Sequence, residues 1–332
     1  MPLAQTRRRF LTTMSLAGAA GLLRTPLGLA AEGPLETTSV RILKPALCVS
    51  TLYVAEELLR AEGFTDIRYI DRPNFEDLGR LVRGDGDFGP LYASQCVQAI
   101  DAGERITMLA GAMVGCFELF ANNSVRTVAD LKGKTVGIQA VGSTPHALVT
   151  LLAAEVGLDP ARDLRWVTDP KVKPIDRFID GKIDAFLGFP PEPQQLRAAR
   201  VGHVLVNTAV DRPWSQYFCC MLAGSPDHVR AHPNATKRVV GAILTATDLC
   251  ATEPARAAQQ LADSGLTPRY DYVFQTLSQN GYKWREYDAE DTIRFYALHM
   301  RDVGLIKSTP QKIIADGTNW RFLNEVKREL KA

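Results

Sequence analysis

The sequence predicts an α/β molecule made of two similar α/β lobes, each with its own sheet, joined by a hinge that the chain crosses twice. Three observations carry this expectation. A series of strand, helix, strand, helix and strand runs over 40–91 and returns over 135–188. The glycines that stop its helices repeat in register, Gly63 with Gly157 and Gly84 with Gly181, at offsets of 94 and 97 residues. Two further segments, 106–122 and 214–223, stand outside the series and suit passages between lobes.

Ahead of the first lobe, Thr6-Arg7-Arg8-Arg9-Phe10-Leu11 precedes an apolar run over 14–29, and the small residues Gly28, Ala30 and Ala31 precede Glu32. A charged start, an apolar middle and a small-residue end are the three parts of a secretory signal. The run is shorter than the roughly 20 apolar residues of a spanning helix, and Arg24 and Pro26 interrupt it. Residues 1–31 therefore read as a twin-arginine signal peptide cut after Ala30 or Ala31, and the expected destination is the periplasm of a bacterium. Such an address says where a chain goes, not what it does there.

Beyond the leader, roughly 300 residues suit two domains of ordinary size. A hydrophobic share of 46% and a charged share of 23% are ordinary globular values. The formal charge of +2 includes four leader arginines, so the remainder is close to neutral, which gives no footing for nucleic acid. Six cysteines, Cys48, Cys96, Cys116, Cys219, Cys220 and Cys250, are too few and too irregular for a disulfide scaffold and contain no C-x-x-C pair. They read as small buried hydrophobes, with disulfides open in an oxidising compartment.

The first lobe is expected as strand 40–49, helix 53–62, strand 67–70, helix 75–83 and strand 87–91. Val54, Leu58 and Leu59 have helical spacing, whereas Ile67-Arg68-Tyr69-Ile70 reads as extended. The second lobe follows as strand 135–140, helix 145–156, strand 164–167, helix 175–180 and strand 183–188. Gly84-Asp85-Gly86-Asp87 and Gly181-Lys182-Ile183-Asp184 close the two halves alike, with Asp three residues after Gly. Helices between strands imply right-handed parallel crossovers. After 214–223 the chain becomes mainly helical, through 229–251 and 291–303, and is expected to return to the first lobe. The domains are thus 36–120 with 223–332, and 121–222.

Several motifs fail their structural context. Gly84-Asp85-Gly86-Asp87-Phe88-Gly89 fits G-x-G-x-x-G but follows a helix and enters a strand, the reverse of a dinucleotide fingerprint. Gly133-Lys134-Thr135 leads into a strand and is a turn. His228 and His232 lie four apart without a third ligand nearby, and read as a surface helix start. There is no G-x-S-x-G. No catalytic residue, metal ligand or cofactor is expected.

Gly142-Ser143-Thr144-Pro145 differs, because it joins a strand end to a helix start. Thr144 can cap and Pro145 suits the first turn, which leaves free amides and the positive end of the helix dipole facing a cleft. An anionic group on a small solute is the natural occupant. The equivalent place in the first lobe is Ser50-Thr51-Leu52-Tyr53, where Ser50 or Thr51 can cap and Tyr53 can present a ring. Ser94 follows the third strand of that lobe, Pro190 the third of the other, and Trp214 lies at the return passage.

With the repeated lobe, Gly84-x-x-Asp87 and Gly181-x-x-Asp184, the run Val128-Ala129-Asp130-Leu131-Lys132-Gly133-Lys134-Thr135, the Gly142-Ser143-Thr144 turn, and Asp184-Ala185 leading to Pro191-Glu192-Pro193, the chain resembles the solute-binding proteins of ABC importers. The group is the one that serves nitrate, taurine, alkanesulfonates and thiamin pyrimidine precursors. The resemblance implies a type 2 periplasmic binding fold, a monomer and a non-enzyme. It also implies lobes that close on a small, anionic solute at Ser50, Tyr53, Ser94, Gly142, Ser143, Thr144, Pro190 and Trp214 and present it to an ABC permease. Cys48, Cys219 and Cys220 depart from the pattern near such a cleft, as does Phe189-Pro190 ahead of the Glu-Pro pair, so sulfonate, carboxylate, nitrate and a planar heterocycle stay open. The alternatives are an enzyme resembling thiamin pyrimidine synthase, which uses a cysteine-rich patch, and a receptor that feeds a sensor.

Overall fold

The computed structural model describes residues 33–71, 78–169, 171–265 and 269–330. The signal peptide expected over 1–31 and the first turn of the helix expected over 75–83 lie outside them. Ten strands are present among the described residues: β1 (Ser39–Leu43), β2 (Asp66–Ile70), β3 (Phe88–Tyr92), β4 (Thr107–Val114), β5 (Glu118–Ala121), β6 (Thr135–Ile138), β7 (Arg165–Thr168), β8 (Ala185–Gly188), β9 (His203–Asn207) and β10 (Phe218–Gly224). They form two sheets, ordered β2-β1-β3-β10-β4 and β7-β6-β8-β5-β9.

The two orders are the same arrangement built twice. In each sheet the repeated series supplies three neighbouring strands, with β1 parallel to β2 and β3, and β6 parallel to β7 and β8. An antiparallel strand delivered by a passage from the other sheet then joins, β10 in the first and β5 in the second. The predicted class, two similar α/β lobes joined by two crossings, is the observed one. The chain changes sheet between Val114 and Glu118 and again between Asn207 and Phe218, ahead of the divisions expected at 120/121 and 222/223.

The repeated Asp explains why the halves close alike. Asp87 accepts the Arg41 backbone N–H at 2.7 Å while its own N–H donates to the Arg41 carbonyl at 2.8 Å. Asp184 accepts the Thr135 N–H at 2.8 Å and donates to the Thr135 carbonyl at 2.9 Å. Each carboxylate thus satisfies an N–H on the first strand of its sheet, where a third strand that starts too late cannot. Arg41 adds a side-chain pair at 2.6 Å, and His228 places Nδ1 3.1 Å from Asp87. His228 is therefore a nearly buried partner of Asp87 and not the surface helix residue expected, because Pro233 starts a new helix and turns this one inward.

Other elements depart from expectation for local reasons. The strand expected over 40–49 ends at Leu43, since Pro45 cannot donate to a ladder, and a 3₁₀ turn, Leu47–Val49, follows. The helix expected over 53–62 forms as Thr51–Val54 and Glu56–Ala61. The Ala93–Asp101 helix was not foreseen, because it buries Ser94 and Gln95 along with its apolar residues and shows no clean stripe. At the first crossing Gly115 has φ +76, and a Cβ there would lie 2.5 Å from the Cα of Ala209 on the second crossing. The two passages touch only because that residue is glycine.

The C-terminal helices return to the first sheet. Val114 and Gly281 exchange backbone hydrogen bonds of 2.7 and 3.0 Å, and the Asn319 N–H donates to Met108 at 2.9 Å. A single apolar core runs from the first sheet through the crossings into the second, and a smaller cluster of Phe120, Ile175, Phe178, Ile183, Phe186 and Leu196 packs the far face of the second sheet.

Candidate ligand-binding site

The candidate residues sit where strands of both sheets end and helices begin. After β1, Ser50 is buried and its hydroxyl donates back to the Leu47 carbonyl at 2.6 Å. It makes no cap, contrary to expectation, since the 3₁₀ turn runs straight into the helix and leaves the Ser50 backbone helical. Tyr53 is half-buried with its ring 4.6 Å from that of Tyr69. Ser94 opens the Ala93–Asp101 helix, and its buried hydroxyl has no hydrogen-bond partner among the described residues. The buried Thr51 and Tyr92 hydroxyls are in the same position. An unpaired buried hydroxyl costs about 1–3 kcal/mol, so three of them at adjoining strand ends call for a ligand or water.

In the second sheet the helix Thr144–Glu155 starts after β6. Ser143, not Thr144, is its cap: the Ser143 backbone is extended and its hydroxyl accepts the His146 N–H at 3.4 Å, which makes Thr144 the first helical residue. Gly142 has φ +87 and donates its N–H to His146 Nδ1 at 3.2 Å. The Ala93–Asp101 and Thr144–Glu155 helices pack on each other, so Ser94 and Ser143–Thr144 open two helices in contact across the sheets.

Pro190 reaches a small cavity shared with Cys116, Glu118, Gln194, Asn207, Ala209, Thr276, Gln279 and Asn280. Its volume is about 20 Å³, room for a single water. Polar contacts draw its walls together: Gln194 Nε2 donates to Thr276 Oγ1 at 3.1 Å, Arg197 pairs with Glu118 at 2.5 Å, and Asn280 Nδ2 donates to the Cys48 carbonyl at 3.2 Å. Gln194 and Thr276 are 3% and 1% exposed, so this bond is shielded from water. Trp214 lies apart from the cavity, packing edge-on against Phe295 with centroids 5.7 Å apart. Gln194, Thr276 and Asn280 escaped sequence reasoning. Only Gln194 had a signal there, its place two residues after Glu192.

Two groups of titratable side chains border this region. Burial pushes the Glu192 carboxyl up to about 7, against the Phe189 N–H bond and Lys173, which favour the anion. The second group is a set of cysteines far apart in sequence. The Sγ atoms of Cys48, Cys116 and Cys220 lie within 4.8 Å of one another, and Cys219 Sγ is 3.0 Å from Cys116 and 3.7 Å from Cys220. Burial drives the Cys116 thiol well up, whereas the Cys116 and Cys220 thiols, acting against burial, bring Cys219 down to about 7.

A model of the NMT1-like family matches residues 99–264, half of the chain. The chain belongs to the NMT1-like family. No curated protein matches it, but solved structures resemble this NMT1-like chain over most of its length. The nitrate-binding protein NrtA of Synechocystis PCC 6803 superposes with a TM-score of 0.76 at 16% identity, covering 90% of each chain. The alkanesulfonate-binding protein SsuA of Xanthomonas axonopodis pv. citri, bound to MOPS, gives 0.70 at 22% identity, covering 86% of this chain and 100% of its own. SsuA of Escherichia coli gives 0.67 at 19%, covering 84% and 92%. At these identities the likeness is one of fold, and the fold is that of the periplasmic binding proteins. Among the described residues no helix is long and apolar enough to cross a membrane.

Proposed function

We propose that this NMT1-like chain is a periplasmic solute-binding protein that closes its two lobes on a small anion and delivers it, as a monomer, to an ABC permease. The proposed contacts are Ser50, Tyr53, Ser94, Gly142, Ser143, Thr144 and Pro190, with Trp214 bracing the return crossing behind them. The observation that carries the reading is the row of buried, unpartnered hydroxyls of Thr51, Tyr92 and Ser94 opposite the Ser143-capped helix start. Donors without acceptors suit a solute rich in oxygen acceptors, which a sulfonate, a carboxylate and nitrate all are. The named neighbours bind an alkanesulfonate or nitrate, which agrees with that chemistry.

The reading assigns no chemical step to the chain. A thermal-shift screen of alkanesulfonates, taurine, carboxylates, nitrate and pyrimidines tests it, because a solute bound only by the native state adds RT ln(1 + [L]/Kd) to stability. A sulfonate or another anion is expected to raise the midpoint. Ser94→Ala and Ser143→Ala are each expected to weaken that anion roughly tenfold or more, the loss of a hydrogen bond to a charged group. A panel without any shift, or a hit that both variants bind as tightly as the parent, overturns the assignment.

A further inference from the structure

We propose that Cys48, Cys116 and Cys220, flanked by Cys219, form a buried thiolate site for one soft metal ion, zinc or cuprous copper, at the junction of the two crossings. Three or four thiolates about 2.3 Å from one ion stand about 4 Å from one another. The sulfur separations here, 3.0 and 3.7 Å from Cys219 and under 4.8 Å among the other three, bracket that spacing. Thiolates select such ions over hard, oxygen-seeking ones.

The backbone departs from regular geometry to bring these sulfurs together. Cys116 has φ 146, a region that side-chain-bearing residues rarely enter, and it directly follows Gly115. Strain of this kind collects at functional sites. Cys219 and Cys220 are consecutive strand residues, whose side chains ordinarily point to opposite faces. A β-bulge in the pairing of β10 with β4 shifts the register at Cys220 and lets both sulfurs converge. Cys48 is presented by the 3₁₀ turn after Pro45, and its carbonyl is held by Asn280.

Cys116 also lines the small cavity beside Pro190, which gives an ion an approach from the cleft. Each ligating thiol releases its proton as the ion enters, so uptake strengthens as pH rises. The leader expected over 1–31 fits this site, because the twin-arginine route carries chains folded beforehand, and the reducing cytoplasm would keep the four thiols free for loading. The bound ion would tie the end of β1 to both crossings. It would do so whichever solute the cleft holds.

The test uses the full chain purified under reducing, oxygen-free conditions and titrated separately with Zn(II), Cu(I) and Co(II), the last as a coloured reporter. One ion per chain is expected, with a sulfur-to-cobalt charge-transfer band that Zn(II) or Cu(I) displaces. Cys48→Ser, Cys116→Ser and Cys220→Ser are each expected to weaken binding a hundredfold or more, while Cys250→Ser leaves it unchanged; circular dichroism checks that the variants fold. The parent spectrum decides the matter even where a variant does not fold. No charge-transfer band in the parent overturns the proposal, as does a band undiminished in folded Cys116→Ser. So does a Cys116–Cys219 disulfide by mass spectrometry whose reduction restores no ion uptake. Solute screening of ion-free and ion-loaded chain keeps this result separate from the solute assignment.

Discussion

Glu192 holds its proton into the neutral range because burial outweighs the Phe189 amide and Lys173, with Asp176 adding to the upward push. A carboxyl whose folded value lies above its unfolded one stabilises most below the unfolded value, and that stability is lost as pH rises through the folded one. The window here is about 4.5 to 7, and the loss across it is on the order of 3 kcal/mol. Urea unfolding at pH 5 and pH 8 is expected to show a steeper decline for the parent than for Glu192→Gln; parallel declines would remove Glu192 as the source. Asp87 and Asp184 sit on the opposite side of this balance. Although burial works against the anion in both, partners hold both carboxyls below the usual range: His228 and Arg41 for Asp87, Thr135 and Asn122 for Asp184. Their contribution is present at neutral pH and fades in acid, below the Glu192 window.

Among the elements, β10 pairs with β4 at the edge of the first sheet, and Gly111 on β4 lies directly under the Phe218 ring of β10. A Cβ at Gly111 would stand 2.3 Å from that ring, which is fully buried beside the bulge and has little room to retreat. Gly111→Ala is expected to cost about 1–3 kcal/mol, the usual penalty of overpacking, read as a lowered midpoint in thermal unfolding; an unchanged midpoint would mean the ring has somewhere to go. The repeated strands and helices were legible because each half states its boundaries in short-range chemistry, a glycine that ends a helix and an Asp that ties the third strand to the first. Gly84 and Gly181 do adopt positive φ, +76 and +68. The Glu192–Ala199 helix was not legible, because Pro190, Pro191 and Pro193 around its start read as loop, and β9 is a short strand with few buried residues. Helix starts were misplaced by one residue at Ser143 because Ser and Thr cap equally well on paper. The meeting of Cys48, Cys116 and Cys220 could not be read at all, since it depends on how two crossings pass each other.

On the scale of the whole molecule, hydrogen bonds tie the two halves together beside Pro190. The Gln194–Thr276 bond, and a longer one of 3.4 Å from Arg197 to Gln279, join the helix between β8 and β9 to a helix of the other half, beside a cavity of about 20 Å³. If the lobes close on a solute as proposed, these bonds form a latch that sets how often they part. Gln194→Ala is expected to enlarge the radius of gyration measured by X-ray scattering without solute, and a saturating solute should restore the parent value. Identical scattering of the two chains would mean that the latch does not govern closure. The nested path of the chain has a separate consequence, in time. All five strands of the second sheet come from one uninterrupted stretch, β5 to β9, whereas the first sheet waits for β10 and for helices that end only at Glu329. On a ribosome the later-numbered half can thus finish first. The earlier half must wait, its β3 and β4 without the strand that joins them, until the rest of the chain arrives to complete it.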